Sequence, residues 1–472
     1  MLSHSYRQVK GKKSVRRRGV IAPESARMPD ELLFIFPSFT VDLEHVLALA
    51  EQAGASHAEV FYSAHLNRVV SFEANRLKQL ETTQSEGIGL RVWQEGRWGL
   101  VVAYGDIEPK TLVDKALSLS QVGQQEDPDL ASLSPPTWSL PPLTCTPDIL
   151  MAWAEQGIDH LRQHYPDILC QSEWAIGQEE TRILNSCGLD CRFSDASLSG
   201  YLGAEWVRGD DLLEVGSAQV ISPRLGDLTP EFPVESLEKQ VLQRLRWAEK
   251  TVDPPTGQVP VIFTAQAADI LLSTLAAALN GRAVWQQSSP WSDKQGCAVV
   301  SPLLTCQQDP LLGPYGSPFD DEGSPCQPLT LIEQGRLQHF YCDRRTARLL
   351  STVSAGNGFR AGLGSLPTPG VFNVILPPAT MSFEQLLATM QCGLVIDQIL
   401  GDGGGLTGDF SFNLDLGFWV EGGEIVGRVK DTLVAGNAYT ALQQVVALGG
   451  ERQWAGSFYT PAFCIEYLSV TA

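Results

Sequence analysis

The sequence predicts an α+β fold: a small N-terminal α/β domain, a central α+β segment, and a mostly antiparallel β C-terminal domain with a buried helix. Three observations predict it. Before residue 250, amphipathic helical periods alternate with runs of period-two residues bounded by glycine turns. Beyond residue 281, many short alternating strands are broken by Gly, Pro and Asp. Between them lies VPVIFTAQAADILLSTLAAALNGR, from Val259 to Arg282, a β-branched and aromatic strand running into an Ala/Leu helix that is apolar almost all round.

In chain order, residues 1–36 form a basic head and 37–125 the N-terminal domain. Thr40 to Ala53 is an amphipathic helix with Leu43, Val46, Leu47 and Ala50 on one face and Gly54 at its end. Strands follow at Ala58–His65, Arg68–Lys78, Gly87–Trp93 and Trp98–Tyr104, the last two joined by a turn at Glu95-Gly96. Pro109 opens a helix to Gln121. Six prolines between 128 and 147 make residues 126–147 a semi-extended linker. The central domain, 148–252, holds a helix from Asp148 to Tyr165, strands with hairpins at Gly188 and Gly209-Asp210, and a charged helix from Val234 to Lys250. The C-terminal domain, 256–472, opens on the Val259–Phe263 strand. Thr264 caps its helix, Gly281 ends it, and Gln266, Asp269, Ser273 and Asn280 form its one polar stripe. Ser382–Met390 is one more helix.

The 472 residues carry a net charge of −20. Residues 1–28 hold eight Lys/Arg and one Glu, so the remainder stands near −27. An acidic body argues against binding nucleic acid, whose phosphates need clustered cations. The head lacks the apolar core of a secretory signal, and no stretch of about 18 apolar residues predicts a membrane helix. Ten dispersed cysteines without a CxxC pair read as reduced thiols, and the expected location is the cytoplasm.

Chemical motifs are sparse. His160 and His164 have helical i, i+4 spacing, but Leu161 stands where a zinc protease needs Glu. Gly403 to Gly408 satisfies GxGxxG, yet Phe410, Phe412, Leu414, Leu416, Phe418 and Val420 share one parity and so continue as a strand, where a dinucleotide site needs a helix. Asp320-Asp321-Glu322-Gly323 is a dense acidic turn without calcium-loop spacing, read as solvated. No cofactor is expected in this chain.

Several ordered stretches of the C-terminal domain resemble one family. They are Ser317–Ser324, Leu331–Leu337, Tyr341–Arg348, Gly356–Gly358, Gly401–Phe410, Gly417–Ile425, Ala435–Asn437 and Leu468–Val470. Together they resemble the TldD/PmbA (TldE) metallopeptidase family over about 256–472, and more loosely over 40–122. The resemblance implies a two-part system. TldD-like chains are zinc metallopeptidases with a His-Glu-x-x-x-His helix after a buried strand. PmbA/TldE-like chains share the fold, lack that motif and pair with the active chain. Laid on this sequence, the motif falls on Ser273, Thr274 and Ala278, and no His lies between 165 and 338. Alanine cannot ligate zinc, and hydroxyls are weak, protonated ligands at neutral pH.

The implied function is a catalytically silent subunit of a TldD-type zinc metallopeptidase complex acting in proteolysis and peptide maturation or degradation. Zinc is then expected in the TldD-like partner, and a peptide is the substrate. The alternatives are a stand-alone metallopeptidase with an atypical site built from His339, Asp320, Asp321 and cysteines, or a peptide-binding regulatory module. The candidate peptide or partner surface comprises Asp320, Asp321, Glu322, Thr407, Gly408, Asp409 and Phe410, where a Gly-rich sheet edge would suit strand addition.

Overall fold

A computed structural model describes residues 41–135, 137–139, 145–222, 234–254, 256–401 and 405–472. The basic head, the Thr40 start of the first helix, part of the Pro-rich stretch and Asp402–Gly404 of the glycine motif lie outside the described residues.

The first half comprises α1 (Leu43–Gln52), β1 (His57–Glu73), β2 (Arg76–Gln94), β3 (Arg97–Tyr104), α2 (Pro109–Ser120), β4 (Trp138–Ser139), α3 (Pro147–His164), β5 (Leu169–Asn185), β6 (Asp190–Arg208), β7 (Asp211–Ile221) and α4 (Val234–Trp247). Asp42 caps α1 by accepting from His45 N (3.0 Å). The hairpins at Glu95-Gly96, Gly188 and Gly209 form where glycine supplies a positive φ. One turn differs from expectation. Arg68–Lys78 is split at Ala74-Asn75, both left-handed with φ of 49° and 66°, so β1 and β2 are single long strands.

Strand order in this seven-stranded sheet is β3-β2-β1-β5-β6-β4, with β7 beside β6. The blocks set apart as N-terminal and central therefore share a sheet: β1 pairs antiparallel with β5 from Glu59↔Asn185 to Phe72↔Ser172. Their alternating apolar residues bury on both faces. Helices α1 and α2 pack Val46, Ala50, Leu112 and Val113 against Val60, Leu90 and Leu184. Helices α3 and α4 pack Leu150, Leu161, Leu237 and Val241 around Trp174 and Leu202. The Pro-rich stretch is pinned: Asn185 Nδ2 donates to Ala131 O (2.8 Å), and Arg344 grips Asp129 (2.8 Å).

The second half comprises β8 (Gly257–Phe263), α5 (Ala265–Leu279), α6 (Gly281–Trp285), β9 (Cys306–Gln308), β10 (Leu329–Glu333), β11 (Arg336–Leu337), α7 (Arg344–Leu349), β12 (Gly358–Phe359), β13 (Thr368–Pro369), β14 (Val374–Ile375), α8 (Phe383–Thr389), β15 (Cys392–Leu400), β16 (Asp409–Glu421), β17 (Glu424–Val429), β18 (Leu433–Asn437), α9 (Ala438–Gln443), β19 (Val445–Ala455) and β20 (Phe458–Thr471). A 3-10 turn covers Gly405–Thr407. An eleven-stranded sheet runs β11-β10-β9-β14-β20-β18-β16-β15-β8, and β8 also pairs with β20, so its last five strands close into a ring. The Phe410–Val420 strand is borne out and those six side chains are buried, Phe410, Phe412 and Leu414 in the core of α5 and Leu416, Phe418 and Val420 in that of α4. Helix α4 lies between the two sheets, since its core also takes in Ile262, Val395, Leu416 and Phe418. No helix among the described residues is long and apolar enough to cross a membrane.

Candidate functional site

Helix α5 is held by its neighbours before its own propensity matters. β8 sits between parallel β15 and antiparallel β20, and Thr264 N donates to Ile396 O (3.0 Å) where the chain leaves the sheet. The Thr264 hydroxyl accepts from Ala267 N, the N-cap that the sequence predicts. Leu271, Leu272, Leu275 and Leu279 bury in the main core with Phe263 and Phe463. At the far end Gly281 is required for contact: a Cβ there would lie 2.4 Å from Cys342 Sγ and 2.9 Å from Tyr341 O. Tyr341 and Ser289 tie down the last turn by donating to Ala276 O (3.0 Å) and Ala278 O (2.6 Å).

The polar stripe of α5 has specific partners. Gln266 is exposed and accepts from Arg244 (3.3 Å), and Asn280 donates to Pro369 O (3.2 Å). Burial pushes the Asp269 carboxyl up to about 6. Ser273 is exposed, whereas Thr274 is 2% exposed and Ala278 wholly buried. Both hydroxyls donate to Ile270 O, at 3.2 Å and 3.3 Å. A zinc ion needs three or four committed N, S or carboxylate donors. Two hydroxyls bonded to their own helix and a methyl group inside the core do not fit it. Among the described residues, no group of three His, Cys, Asp or Glu could hold a metal ion. His339 is exposed, with its Nδ1 against Thr330 O (2.9 Å), and His160 pairs with Glu238. All ten cysteines are free.

The stretch 405–410 is clamped onto the start of α9. Asn437 Nδ2 donates to Thr407 O (3.0 Å) and Asp409 Oδ1 (2.9 Å), and Tyr439 donates to Leu406 O (2.9 Å). Gly408 has a φ of +78°, and a Cβ there would meet the Tyr439 ring at 2.6 Å. Thr407 and Asp409 are exposed, but Gly408 and Phe410 are buried, the Phe410 ring stacking on Phe412 at 5.3 Å.

The acidic turn is not solvated, a correction to the sequence reading. Asp320 is fully buried and accepts three backbone N–H groups, from Glu322 (3.0 Å), Ser324 (2.8 Å) and Gly358 (2.8 Å). Asp321 accepts from Arg360 N (2.7 Å) and Glu322 from Arg344 N (2.8 Å), both carboxylates half-buried. Burial pushes all three carboxyls up, Asp321 to about 6. The turn packs on the first sheet through Phe319 against Phe193 (6.2 Å). The 405–410 stretch instead packs on α5 and α9. Composition suggested a solvated loop because the three donors come from backbone, which no residue type announces.

Two buried clusters of ion pairs escaped the sequence reading. Arg244 on α4 grips Asp397 on β15 through Nε (2.6 Å) and Nη2 (3.2 Å), beside a cavity of about 290 Å³ lined by Trp247, Phe383, Thr264 and Glu451. Glu59 on β1 accepts from Arg91 (3.1 Å) and from Arg360. The partners lie 301 residues apart in Glu59–Arg360 and 153 apart in Arg244–Asp397, so no local pattern marks them.

With this geometry in hand, the chain can be set beside known proteins. Residues 256–472 match the PmbA/TldA metallopeptidase C-terminal domain, and residues 58–120 match PmbA/TldA metallopeptidase domain 1. Metalloprotease PmbA of Escherichia coli O157:H7 is 26% identical, over 84% of this chain and 87% of that protein. A PmbA homolog of Haemophilus influenzae is 27% identical over 90% and 94%, and that organism's metalloprotease TldD homolog is 30% identical over 47% and 46%. Among solved structures, TldE from Thermococcus kodakarensis superposes with a TM-score of 0.82 at 24% identity, covering 91% of this chain and 99% of that one. A Thermotoga maritima protein described as a putative modulator of a DNA gyrase gives 0.79 at 22%, with the same coverage. The α+β architecture is thus shared with these structures, and both domain matches fall in the order the sequence motifs predict. The chain belongs to the PmbA/TldD family.

Proposed function

We propose that this chain is a catalytically silent, PmbA/TldE-like subunit that pairs with a TldD-type zinc metallopeptidase and helps form its peptide cleft. The role is in proteolysis and peptide maturation or degradation. The observation that carries this reading is α5. The helix has its strand, cap and packing in place, and on the resemblance the TldD ligands and base would fall on Ser273, Thr274 and Ala278, none of which can take those roles. Zinc and its bound water would belong to the partner, and what this chain supplies is scaffold and surface. Exposed Thr407 and Asp409, on a loop clamped by Asn437, are candidate contacts for partner or peptide.

The experiment is co-expression with a TldD-like metallopeptidase. This chain should copurify with it, and zinc content and peptidase activity should follow the partner's motif residues. Peptidase activity of the isolated chain, lost with chelator, would overturn the proposal.

A further inference from the structure

The cavity beside the Arg244–Asp397 pair is built from several elements. α4 supplies Arg244 and Trp247, the first turn of α5 supplies Ala265, and α8 and β19 supply Glu384 and Glu451. Glu384, Glu451 and the neighbouring Gln453 are exposed, so the cavity opens to solvent on their side.

Its charge is one-sided. Arg244 and Asp397 cancel, since Nε and Nη2 of the one bond both oxygens of the other (2.6 Å and 3.2 Å). Glu384 accepts from Ser382 Oγ (2.8 Å), and the Glu451 carboxylate has no hydrogen-bond partner among the described residues. No described cation pairs with either. With one Arg against one Asp and two Glu, the lining carries a net charge of −2. Next to these acids the wall is apolar: Phe383, which precedes Glu384, stacks on Trp247 with ring centroids 5.7 Å apart. A chain of methylenes ending in a cation suits that pairing, its stem along the rings and its head at the carboxylates. Arg244 adds an independent demand. It is 6% exposed, and its Nη1 is buried without a hydrogen-bond partner. A peptide carbonyl is the kind of acceptor it lacks.

The cavity leads on along α5. Ala265 and Asp269 are one turn apart on the same side of the helix, and β19 follows them. Gln453 lines the cavity with Ala265, and Gly456 lies against Asp269, whose Oδ1 would be 3.2 Å from a Cβ there. Asp269 is half-buried, with no hydrogen-bond or ion-pair partner among the described residues. Four helical residues rise about 6 Å, close to the roughly 6.7 Å between alternate residues of an extended peptide.

We propose that the cavity is a subsite for a basic side chain of an extended peptide, and that a second basic residue two positions along that peptide reaches Asp269. The inference rests on the peptide-cleft part of the function proposed above and gives the peptide a class: cationic, with alternate basic residues.

The test is a peptide-observed NMR titration of the full-length chain at about pH 7.5 and low salt, which reads affinities into the millimolar range. Ac-Gly-Arg-Gly-NH2 and Ac-Gly-Lys-Gly-NH2 should bind, and the Leu and Glu counterparts at least about tenfold more weakly. E384K/E451K changes two exposed positions and should reverse the order of the arginine and glutamate peptides with an unchanged far-UV spectrum. D269N should weaken Ac-Arg-Gly-Arg-NH2 about fivefold and leave Ac-Arg-Gly-Gly-NH2 unchanged. Absence of binding, equal binding of the four tripeptides, or an order that survives E384K/E451K overturns the cavity's assignment. A dibasic peptide indifferent to D269N overturns the path along α5. The titration needs no second chain, so failure to copurify with a TldD-like protein would leave this inference standing. A complex that forms while the four tripeptides bind alike would overturn this inference alone.

Discussion

Replacing Glu59 by Gln removes the one carboxylate that holds two buried cations from different parts of the chain. Glu59 is 2% exposed, and its Oε1 accepts from Arg91 on β2 (3.1 Å) and from Arg360 in the second half. Arg360 lies over the Phe61 ring at 4.7 Å and Arg91 over Trp93 at 4.5 Å, so neither can swing into water without giving up an aromatic contact. The Gln side chain keeps the shape and removes the charge. The two guanidinium groups then lose the carboxylate that bonds both, and only the weaker attraction of Asp321 to Arg360 and of Glu322 to Arg91 is left. Removing one partner of a buried pair costs about 3–5 kcal/mol, against roughly 1 kcal/mol or less for an exposed pair. Arg360→Met should cost less than Glu59→Gln, because Glu59 still has Arg91. Urea unfolding followed by far-UV circular dichroism gives both values. Acid sensitivity provides a second readout. Burial pushes the Glu59 carboxyl up, but attraction to Arg91 and Arg360 outweighs it and leaves the pKa below the ordinary range. Its contribution is therefore present above the ordinary carboxylate pKa and is lost as pH falls through the depressed one. Glu59→Gln should lose that share of the acid dependence. A Glu59→Gln protein within about 0.5 kcal/mol of the parent, or an Arg360→Met protein that is the less stable of the two, would refute the account.

Asp321 should show the opposite pH dependence. With its carboxyl pushed up to about 6 by burial, the folded chain holds the proton more tightly than the unfolded one, so this contribution is present at low pH and lost as pH rises through about 6. Melting temperatures from pH 4 to 7 should therefore fall less steeply for Asp321→Asn, and equal slopes would count against the assignment. Ala278→His places a large polar ring at a wholly buried position and should cost about 1–3 kcal/mol; near-stoichiometric zinc in a folded S273H/T274E/A278H protein, measured by metal analysis, would show that the site was not lost to packing. Gly408→Ala strains a left-handed position and drives a methyl into Tyr439, so hydrogen exchange at Asn437–Thr440 should accelerate as the 405–410 clamp loosens, by more than about 1 kcal/mol of protection.

Local signals in the sequence were good where one residue type decides the geometry. Gly96, Gly188 and Gly209 marked true hairpins, Thr264 a true cap, Ser382–Met390 a true helix, and the parity of Phe410–Val420 a true strand. The turn at Ala74-Asn75 was missed although Asn75 favours the left-handed region, because Ala74 beside it gives no such signal and no glycine is present, and one missed turn cut two long strands into the wrong pieces. Non-local contacts were unreadable for a different reason. Nothing near Glu59 or Arg244 announces a partner several elements away, and nothing in the residue names of the Asp320 turn shows three backbone donors converging on one carboxylate. The same limit divided the surface candidates. Thr407 and Asp409 face outward as a loop should, while Asp320, Gly408 and Phe410 serve the interior.

The pairing of β1 with β5 has a consequence for synthesis. The β1–β2 hairpin emerges from the ribosome early, yet the inner edge of β1 finds its partner only when residues 169–185 have been made. For that interval the nascent chain carries two bare strand edges, the transient inner one on β1 and the outer one on β2. Local pairing is fast and distant pairing slow, so the interval is when chaperone binding, or exchange of hairpins between neighbouring chains on one message, is most probable. A fragment ending near residue 125 would hold that state indefinitely and should aggregate, whereas one carried through β7 would close the inner edge. Truncation boundaries for this protein are better drawn after residue 221 than at the Pro-rich stretch.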